Sequence, residues 1–114
     1  MTDREMLEFA AKAAGIDRIW YEWDMSGEWG LRERDGTEGG LWNPLTNDGD
    51  ALRLAVKLNL DIRYESYDAG CAVIVAGAWD DAPEGVHEIF ERDGPRAVRR
   101  AITRAAAEIG KAMP

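Results

Sequence analysis

Apolar residues recur at helical spacing near the start of the chain. Within residues 3–14 they form one stripe, which consists of Leu7, Ala10, Ala11 and Ala14. Because positions i, i+3, i+4 and i+7 lie on one face of a helix, this spacing predicts an amphipathic helix from Asp3 to Ala14. Thr2 followed by Glu5 has the spacing of a capping box, and Gly15 suits a C-terminal cap.

The residues that follow alternate between apolar and polar in the manner of strands. Residues 18–23 are rich in aromatic and β-branched types, and residues 28–34 alternate, so both predict strands. Asp35-Gly36 favours a hairpin turn, since both central positions of such a turn adopt positive φ. A short third strand is expected to end at Leu41–Trp42.

The segment WNPLTNDGDALRLAVKL, residues 42–58, joins a strand to a second predicted helix. Asn43 precedes a proline, which disfavours a helical backbone at Asn43. Asn47 with Asp50 resembles a capping box, and acidic residues at a helix start favour its dipole. The buried stripe of this helix then comprises Ala51, Leu54, Ala55 and Leu58. We interpret the polar residues of the segment as structural, and not as a reaction centre.

The second half of the chain predicts three more strands and a long final helix. Residues 60–66 alternate as a half-buried strand, and residues 71–79 are almost continuously apolar, as in a central strand. Residues 86–91 fit a strand or a helical turn, and we prefer a strand. The last helix begins at Asp93-Gly94-Pro95, and its apolar stripe comprises Val98, Ala101, Ile102, Ala105, Ile109 and Ala112. Its opposite face carries Arg96, Arg99, Arg100, Thr103, Arg104 and Lys111.

This order of elements predicts a single α+β domain over residues 1–114. Strands joined by short connections pair as hairpins, so the sheet is expected to be mostly antiparallel. Each helix has one apolar stripe, which has to be covered by packing on the sheet. We therefore expect one twisted sheet of about five to six strands with three helices packed on it, in the order α-β-β-(β)-α-β-β-β-α.

The composition is that of a folded, acidic protein. Of 114 residues, 46% are hydrophobic and 32% are charged, and the net charge is −8. Residues 93–113 alone carry +3, so the remainder carries −11. Such a surface repels nucleic acid and favours basic protein partners, or it serves solubility alone.

The chain shows no sign of a membrane or secretory segment. It has no apolar run of about 18 residues, and its N-terminus is charged and lacks the apolar core of a signal peptide. A single cysteine allows no internal disulfide, which fits a reducing compartment. We therefore expect a cytoplasmic protein.

Three runs of this sequence resemble a family of small uncharacterised proteins of tailed phages and prophages. These are EMLEFAAKAAG at residues 5–15, WNPLTNDGDALRLAVKLNLDI at residues 42–62 and RAVRRAITRAAAEIG at residues 96–110. The family is the phage ABA sandwich domain, and NinX-like phage proteins look like relatives. The resemblance implies a three-layer sandwich, life in the cytoplasm of a host bacterium and an accessory role, such as modulating a host or defence protein. It implies no catalytic residues.

The residues with potential for chemistry do not form a convincing catalytic or metal set. His87 is the only histidine and has Asp80, Asp81 and Glu84 near it in sequence, but one histidine with loop carboxylates is a poor transition-metal set. Cys71 starts an apolar strand and is predicted to be a buried, inert thiol. We therefore predict no enzyme activity, no metal and no cofactor.

Two surfaces are candidates for binding. Neighbouring residues on a strand point to opposite faces, so Trp20 should face away from Tyr21 and Trp23, and these aromatics form either core or a binding surface. That candidate interaction surface comprises Trp20, Tyr21, Trp23, Trp29, Asp80, Asp81 and Glu84. The second is a basic helix face with Arg96, Arg100 and Arg104 at intervals of four residues. It fits a solvated or acid-paired helix face, a protein-binding surface, or a row of phosphate contacts.

The leading hypothesis is a non-enzymatic accessory protein that binds a host or phage protein, a second copy of itself included. One alternative is a protein that binds a small ligand, either between helix and sheet or at a dimer interface. Another is nucleic-acid binding through the arginines of the last helix, which the acidic composition disfavours.

Overall fold

The computed structural model describes residues 1–22, 25, 27–33, 40–77 and 85–114. These residues form three helices and five strands. In chain order they are α1 (Asp3–Ala14), β1 (Ile19–Glu22), β2 (Trp29–Arg32), α2 (Asp48–Lys57), β3 (Asp61–Tyr67), β4 (Gly70–Ala76), β5 (Val86–Phe90) and α3 (Gly94–Ala112). The predicted α+β class and the antiparallel pairing are confirmed.

The described strands form two sheets, so the prediction of one continuous sheet is wrong for this part of the chain. One sheet is the β1–β2 hairpin, and the other has the order β3-β4-β5. The chain leaves the first sheet at Trp42 and passes through a turn at Pro44 and then α2 before β3 begins. Because these elements separate β2 from β3, the two sheets share no strand.

The predicted third strand is reduced to one bridge between Leu31 and Trp42. The two residues exchange backbone hydrogen bonds of 3.0 and 2.7 Å. Gly30 makes this close approach feasible, because a Cβ there would lie 2.9 Å from the carbonyl oxygen of Trp42. The predicted Asp35-Gly36 turn lies outside the described residues.

Helix α1 has the predicted bounds and the predicted termini. The Thr2 hydroxyl accepts a hydrogen bond from the backbone N–H of Glu5, and the Glu5 carboxylate accepts one from the backbone N–H of Thr2. Gly15 adopts a left-handed conformation with φ of 71°. The whole predicted stripe is buried, so the helix packs as its pattern indicates.

Helix α3 is buried on two sides, which its apolar stripe alone did not predict. It contacts α1 on one side and strands β4 and β5 on the other. Thr103, predicted on the polar face, is fully buried, and its hydroxyl donates to the carbonyl oxygen of Arg99 at 2.8 Å. Gly110 packs directly on the backbone of Phe9, where no Cβ would fit. Small residues on α3 therefore let α1 approach closely.

The three-stranded sheet is buried at its centre and open along one edge. Val73 and Val75 of β4 are fully buried, which confirms the central strand. Cys71 is only half-buried, so the prediction of a buried thiol is wrong. Six of the seven residues of β3 are exposed, Tyr64 at 58%, because none of the three described helices covers all of this edge strand. No helix among the described residues is long and apolar enough to cross a membrane.

Candidate binding groove

The uncovered part of the three-stranded sheet forms an apolar groove of about 480 Å³ between α2 and α3. We call it the α2–α3 groove. Its apolar lining includes Ala51, Ile62, Tyr64, Phe90, Val98 and Ile102. A volume of this size falls within the range of about 300–1,000 Å³ that is typical of ligand pockets.

The periodicities of one helix and two strands bring these lining residues together. Val98 and Ile102 are four residues apart on α3, so they lie on one helix face. Ile62 and Tyr64 are two residues apart on β3 and point to the same side of the sheet. Phe90 lies opposite Cys71 on the far strand of that sheet. The groove is thus a gap between helices over a sheet face that α3 covers only in part.

One end of the groove is fixed by a half-buried arginine. Arg99 of α3 donates from Nη1 to the Asp48 carboxylate at 2.7 Å and from Nε to the carbonyl oxygen of Leu45 at 2.9 Å. The Arg99 side chain is 19% exposed, whereas that of Asp48 is 76% exposed. The arginine therefore ties α3 to the start of α2, and the carboxylate remains accessible to a second cation.

The segment before α2 is a structural joint, as its sequence indicated. Asn43 is buried, and its side chain donates to the carbonyl oxygen of Trp29 at 2.8 Å and accepts from the N–H of Leu45 at 3.0 Å. Asn47 caps α2 by accepting from the backbone N–H of Asp50 at 2.8 Å. These contacts hold the start of α2 on the hairpin.

Asp50 does not complete the predicted capping box with Asn47. Its carboxylate instead accepts from the backbone N–H of Asn43 at 2.9 Å and from Arg53 at 2.7 Å. The residue is 8% exposed, and its buried carboxylate needs these donors. The Asp50 side chain therefore connects α2 to the preceding turn.

The aromatic residues of the hairpin are largely used inside the fold. Trp20 and Trp29 are half-buried, pack against the core and have ring centroids 5.8 Å apart. The guanidinium of Arg4 lies over the Trp20 ring at 5.8 Å. Tyr21 points to the other face, where Arg32 stacks on it at 4.3 Å. These three residues therefore do not form one exposed aromatic patch.

The rest of the predicted interaction surface lies outside the described residues. This applies to Trp23, Asp80, Asp81 and Glu84. His87, which the sequence placed near those carboxylates, lies opposite Ile74 in the sheet register and is exposed. The described residues contain no group of three or more His, Cys, Asp or Glu side chains that could hold a metal ion.

Two arginines of the predicted basic helix face converge on one carboxylate. Arg100 Nε lies 3.2 Å from Glu88, and Arg104 also binds Glu88 while donating to the carbonyl oxygen of His87 at 3.1 Å. Glu108 lies four residues after Arg104 on the same helix, a spacing that permits an ion pair, but Arg104 pairs with Glu88 instead. Arg96 is exposed and lies with Arg100 and Asp3 at a small cavity of about 120 Å³. Pairing with acid weakens this face as a phosphate-binding row.

Cys71 and His87 point to opposite faces of the sheet. Cys71 lies opposite Phe90 in the register between β4 and β5, whereas His87 lies opposite Ile74. Because successive residues alternate between faces, an odd separation such as that between Cys71 and Ile74 puts the two side chains on different sides. A thiolate–imidazole pair therefore cannot form between the chain's only cysteine and its only histidine.

Sequence reasoning missed the groove because its residues had other interpretations. Leu52 lies off the apolar stripe of α2, and it is 62% exposed beside the groove. Tyr64 alternates with the charged residues of the strand predicted over residues 60–66, and this pattern predicts that it is buried. An apolar residue outside a helix stripe was the available signal, but it does not show which elements meet there.

The comparisons with known proteins identify no relative. No family model matches this chain, no curated protein matches it, and no solved structure matches it. The resemblance of residues 5–15, 42–62 and 96–110 to the phage ABA sandwich family therefore stays a prediction.

Proposed function

We propose that this chain is a non-enzymatic binding protein that holds an apolar anchor of another protein in the α2–α3 groove. The observation that supports this most directly is the apolar lining of the groove, in which the half-buried Ile62 and Val98 lie above the buried Ile102 and beside the exposed Leu52 and Tyr64. Apolar surface that stays accessible in a folded protein is typical of a binding site. An anchor side chain that fills such a groove would supply most of the binding energy.

The partner segment is proposed to be amphipathic and basic. The chain carries a net charge of −8, and three arginines of α3 are paired with Asp48, Glu88 and Asp3. Asp48 exposes most of its carboxylate at one end of the groove. A basic residue beside the apolar anchor would share that carboxylate, and the acidic surface would accelerate the encounter.

The biological setting follows from the sequence resemblance and is part of the proposal. A protein related to the phage ABA sandwich domain would act in the cytoplasm of an infected bacterium as an accessory protein. Its partner would be a host or phage protein with a basic surface. The finer three-layer arrangement of that family is proposed for this chain on the same basis.

A titration with a designed peptide tests the proposed site. The probe is an amphipathic leucine–lysine helix, and its control is a leucine–glutamate peptide of the same pattern. We expect the basic peptide to shift the backbone NMR signals of Ile62, Val98 and Ile102, and the acidic peptide to shift them far less. Shifts confined to the β1–β2 hairpin, or equal binding of both peptides, would contradict the proposal.

Two matched variants distinguish binding in the groove from general electrostatic attraction of the peptide. Val98→Glu places a carboxylate in the groove, and Ile89→Glu places one on the exposed outer face of β5, where Ile89 is 77% exposed. Both add one negative charge, so long-range attraction of the basic peptide is equal in the two. Binding should be lost with Val98→Glu and retained with Ile89→Glu.

The size of the groove also supports a second function, the sequestration of a small apolar ligand. A pocket of about 480 Å³ could hold such a molecule, with Tyr64 and the Arg99–Asp48 pair as polar contacts. Native mass spectrometry of the purified chain would show a retained ligand as added mass. Loss of that mass in Val98→Glu but not in Ile89→Glu would assign the ligand to the groove.

A further inference from the structure

Strand β3 lies at the edge of the three-stranded sheet, and six of its seven residues are exposed. Among the described residues no strand pairs with its outer side. An edge strand presents alternate backbone N–H and C=O groups to solvent, and another strand can bind to them. Most proteins cover or interrupt such an edge, so a fully extended seven-residue edge requires an explanation.

Helix α2 also carries exposed apolar side chains. Leu52 and Val56 are 62% and 68% exposed, and their separation of four residues places them on one helix face. Leu52 lines the α2–α3 groove together with Tyr64 of β3. The exposed apolar face of α2 therefore borders the groove at Leu52, where Tyr64 of β3 also lines it.

The charged residues of β3 are complementary to those of β3 in a second copy that runs antiparallel to it. In a pair of strands related by a two-fold axis, residues that lie opposite each other share a face of the sheet. With Tyr64 on the axis, Arg63 lies opposite Glu65 of the partner subunit, and Glu65 lies opposite the partner's Arg63. Opposite charges at directly paired positions stabilise antiparallel strands, and like charges destabilise them.

Neighbouring two-fold registers lack this complementarity. An axis at Arg63 would place the two Arg63 side chains together and would oppose Asp61 to Glu65. An axis at Glu65 would bring the two Glu65 carboxylates together. The Tyr64-centred register is also the one that pairs all seven residues of β3, since Asp61 then lies opposite Tyr67. The edge charges thus select one arrangement, while they oppose pairing in the two nearest ones.

We infer that the chain forms a homodimer in which β3 pairs antiparallel with β3 of a second copy, about an axis at Tyr64. The two three-stranded sheets then join into one six-stranded sheet. Tyr64 meets its symmetry mate on the groove side of the sheet, and the exposed apolar faces of the two α2 helices approach each other. Dimerisation does not depend on the proposed binding of a basic peptide, and it is measured without one.

A charge exchange across the axis tests this arrangement. Arg63→Glu gives each dimer two Glu–Glu contacts, and Glu65→Arg gives two Arg–Arg contacts. Each variant alone should weaken the dimer about tenfold or more, because both symmetric pairs change sign. An equimolar mixture of the two variants restores two opposite-charge pairs, so a heterodimer should form with nearly the original affinity.

The measurement is sedimentation velocity of the full chain, from low micromolar to near-millimolar concentration. Lys111→Glu and Glu108→Arg are the controls, since both residues are exposed on α3 and the variants change the net charge by the same amounts. Both controls should dimerise as the original chain does. A monomeric original chain throughout that range would overturn the inference, and so would full dimerisation of both β3 variants. Recovery in the mixture shows that the variants are folded.

Discussion

In the β1–β2 hairpin the large apolar side chains turn towards the core, whereas the outer strand of the three-stranded sheet leaves its apolar side partly open. Trp20 and Trp29 pack on each other and on the core, and Leu31 is fully buried. Tyr64 of β3 and the neighbouring Leu52 are mostly exposed. Helix α1 contacts both strands of the hairpin, but no helix in the described ranges covers the whole of β3.

This difference shows that aromatic content does not locate exposed apolar surface. The two strands of the hairpin hold two of the five tryptophans, Trp20 and Trp29, yet these rings are covered by each other and by Arg4. The open surface is made by fewer and smaller apolar groups, which no element of the described part of the chain covers. Coverage by neighbouring elements therefore decides which apolar residues are available to a partner.

The same substitution at two leucines should distinguish the covered hairpin from the open surface most clearly. Leu31→Ala removes a fully buried side chain from the hairpin, and we expect it to lower the free energy of unfolding by about 2–5 kcal/mol. Leu52→Ala removes an exposed side chain beside the groove and should change it by less than about 0.5 kcal/mol. Urea unfolding followed by circular dichroism measures both at low protein concentration, where a dimer would contribute least.

Equal losses in the two leucine variants would contradict the division into a covered and an open region. If Leu52→Ala lowers the free energy of unfolding strongly only at high protein concentration, Leu52 contributes through dimerisation. This follows because a residue in a dimer interface stabilises the fold through association. Measuring the urea midpoint of unfolding at two protein concentrations therefore distinguishes a core residue of the hairpin from a residue of the proposed dimer interface.

A smaller loss of stability is expected when the contacts that join α2 to the preceding turn are removed. Asp50→Ala leaves the backbone N–H of Asn43 and the side chain of Arg53 without their acceptor, and should lower the free energy of unfolding by about 1–3 kcal/mol. Asp61→Ala, at an exposed position of β3, should have little effect. Unfolding measurements that show similar losses for both would mean that the Asp50 contacts do not stabilise the joint.

Local signals in the sequence predicted the elements more completely than their arrangement. The Thr2–Glu5 spacing, Gly15 and the Asp93-Gly94-Pro95 start identified helix ends because their contacts lie within one turn. The burial of Thr103 could not be predicted, because it depends on α1 packing on the far side of α3.

The candidate site was the least predictable feature. The groove joins residues of α2, α3, β3 and β5 that are up to 54 positions apart in sequence, from Asp48 to Ile102. Pairing across the chain also decided the role of the arginines, since Glu88 lies on β5 and not on α3. Periodicity describes one element at a time, so neither the gap nor the ion pairs follow from it.

The ion pairs of Arg100 and Arg104 with Glu88 should contribute modestly to the free energy of unfolding. Glu88→Gln weakens the contacts to Arg100 and Arg104, whose side chains are more than one-third exposed, and should cost about 1 kcal/mol or less. Because salt screens exposed charges, the difference from the original chain should shrink at high salt. Glu8→Gln, which weakens a more exposed pair with Arg4, is the control and should cost less. A larger loss for Glu8→Gln in urea unfolding would contradict this order.

The smallest expected effect is a pH dependence of the capping box at the start of α1. Hydrogen bonds from the backbone and the hydroxyl of Thr2 lower the pKa of Glu5 below its usual value near 4.5. A carboxyl group with a lowered pKa in the folded state stabilises the fold above its unfolded pKa, and this contribution disappears as the pH falls through the folded pKa. Glu5→Gln should therefore reduce the unfolding midpoint at neutral pH and match the original chain in strong acid. A difference that stays constant from neutral to strongly acidic pH would mean that the carboxylate charge does not contribute, and that the hydrogen bonds of Thr2 act through geometry alone.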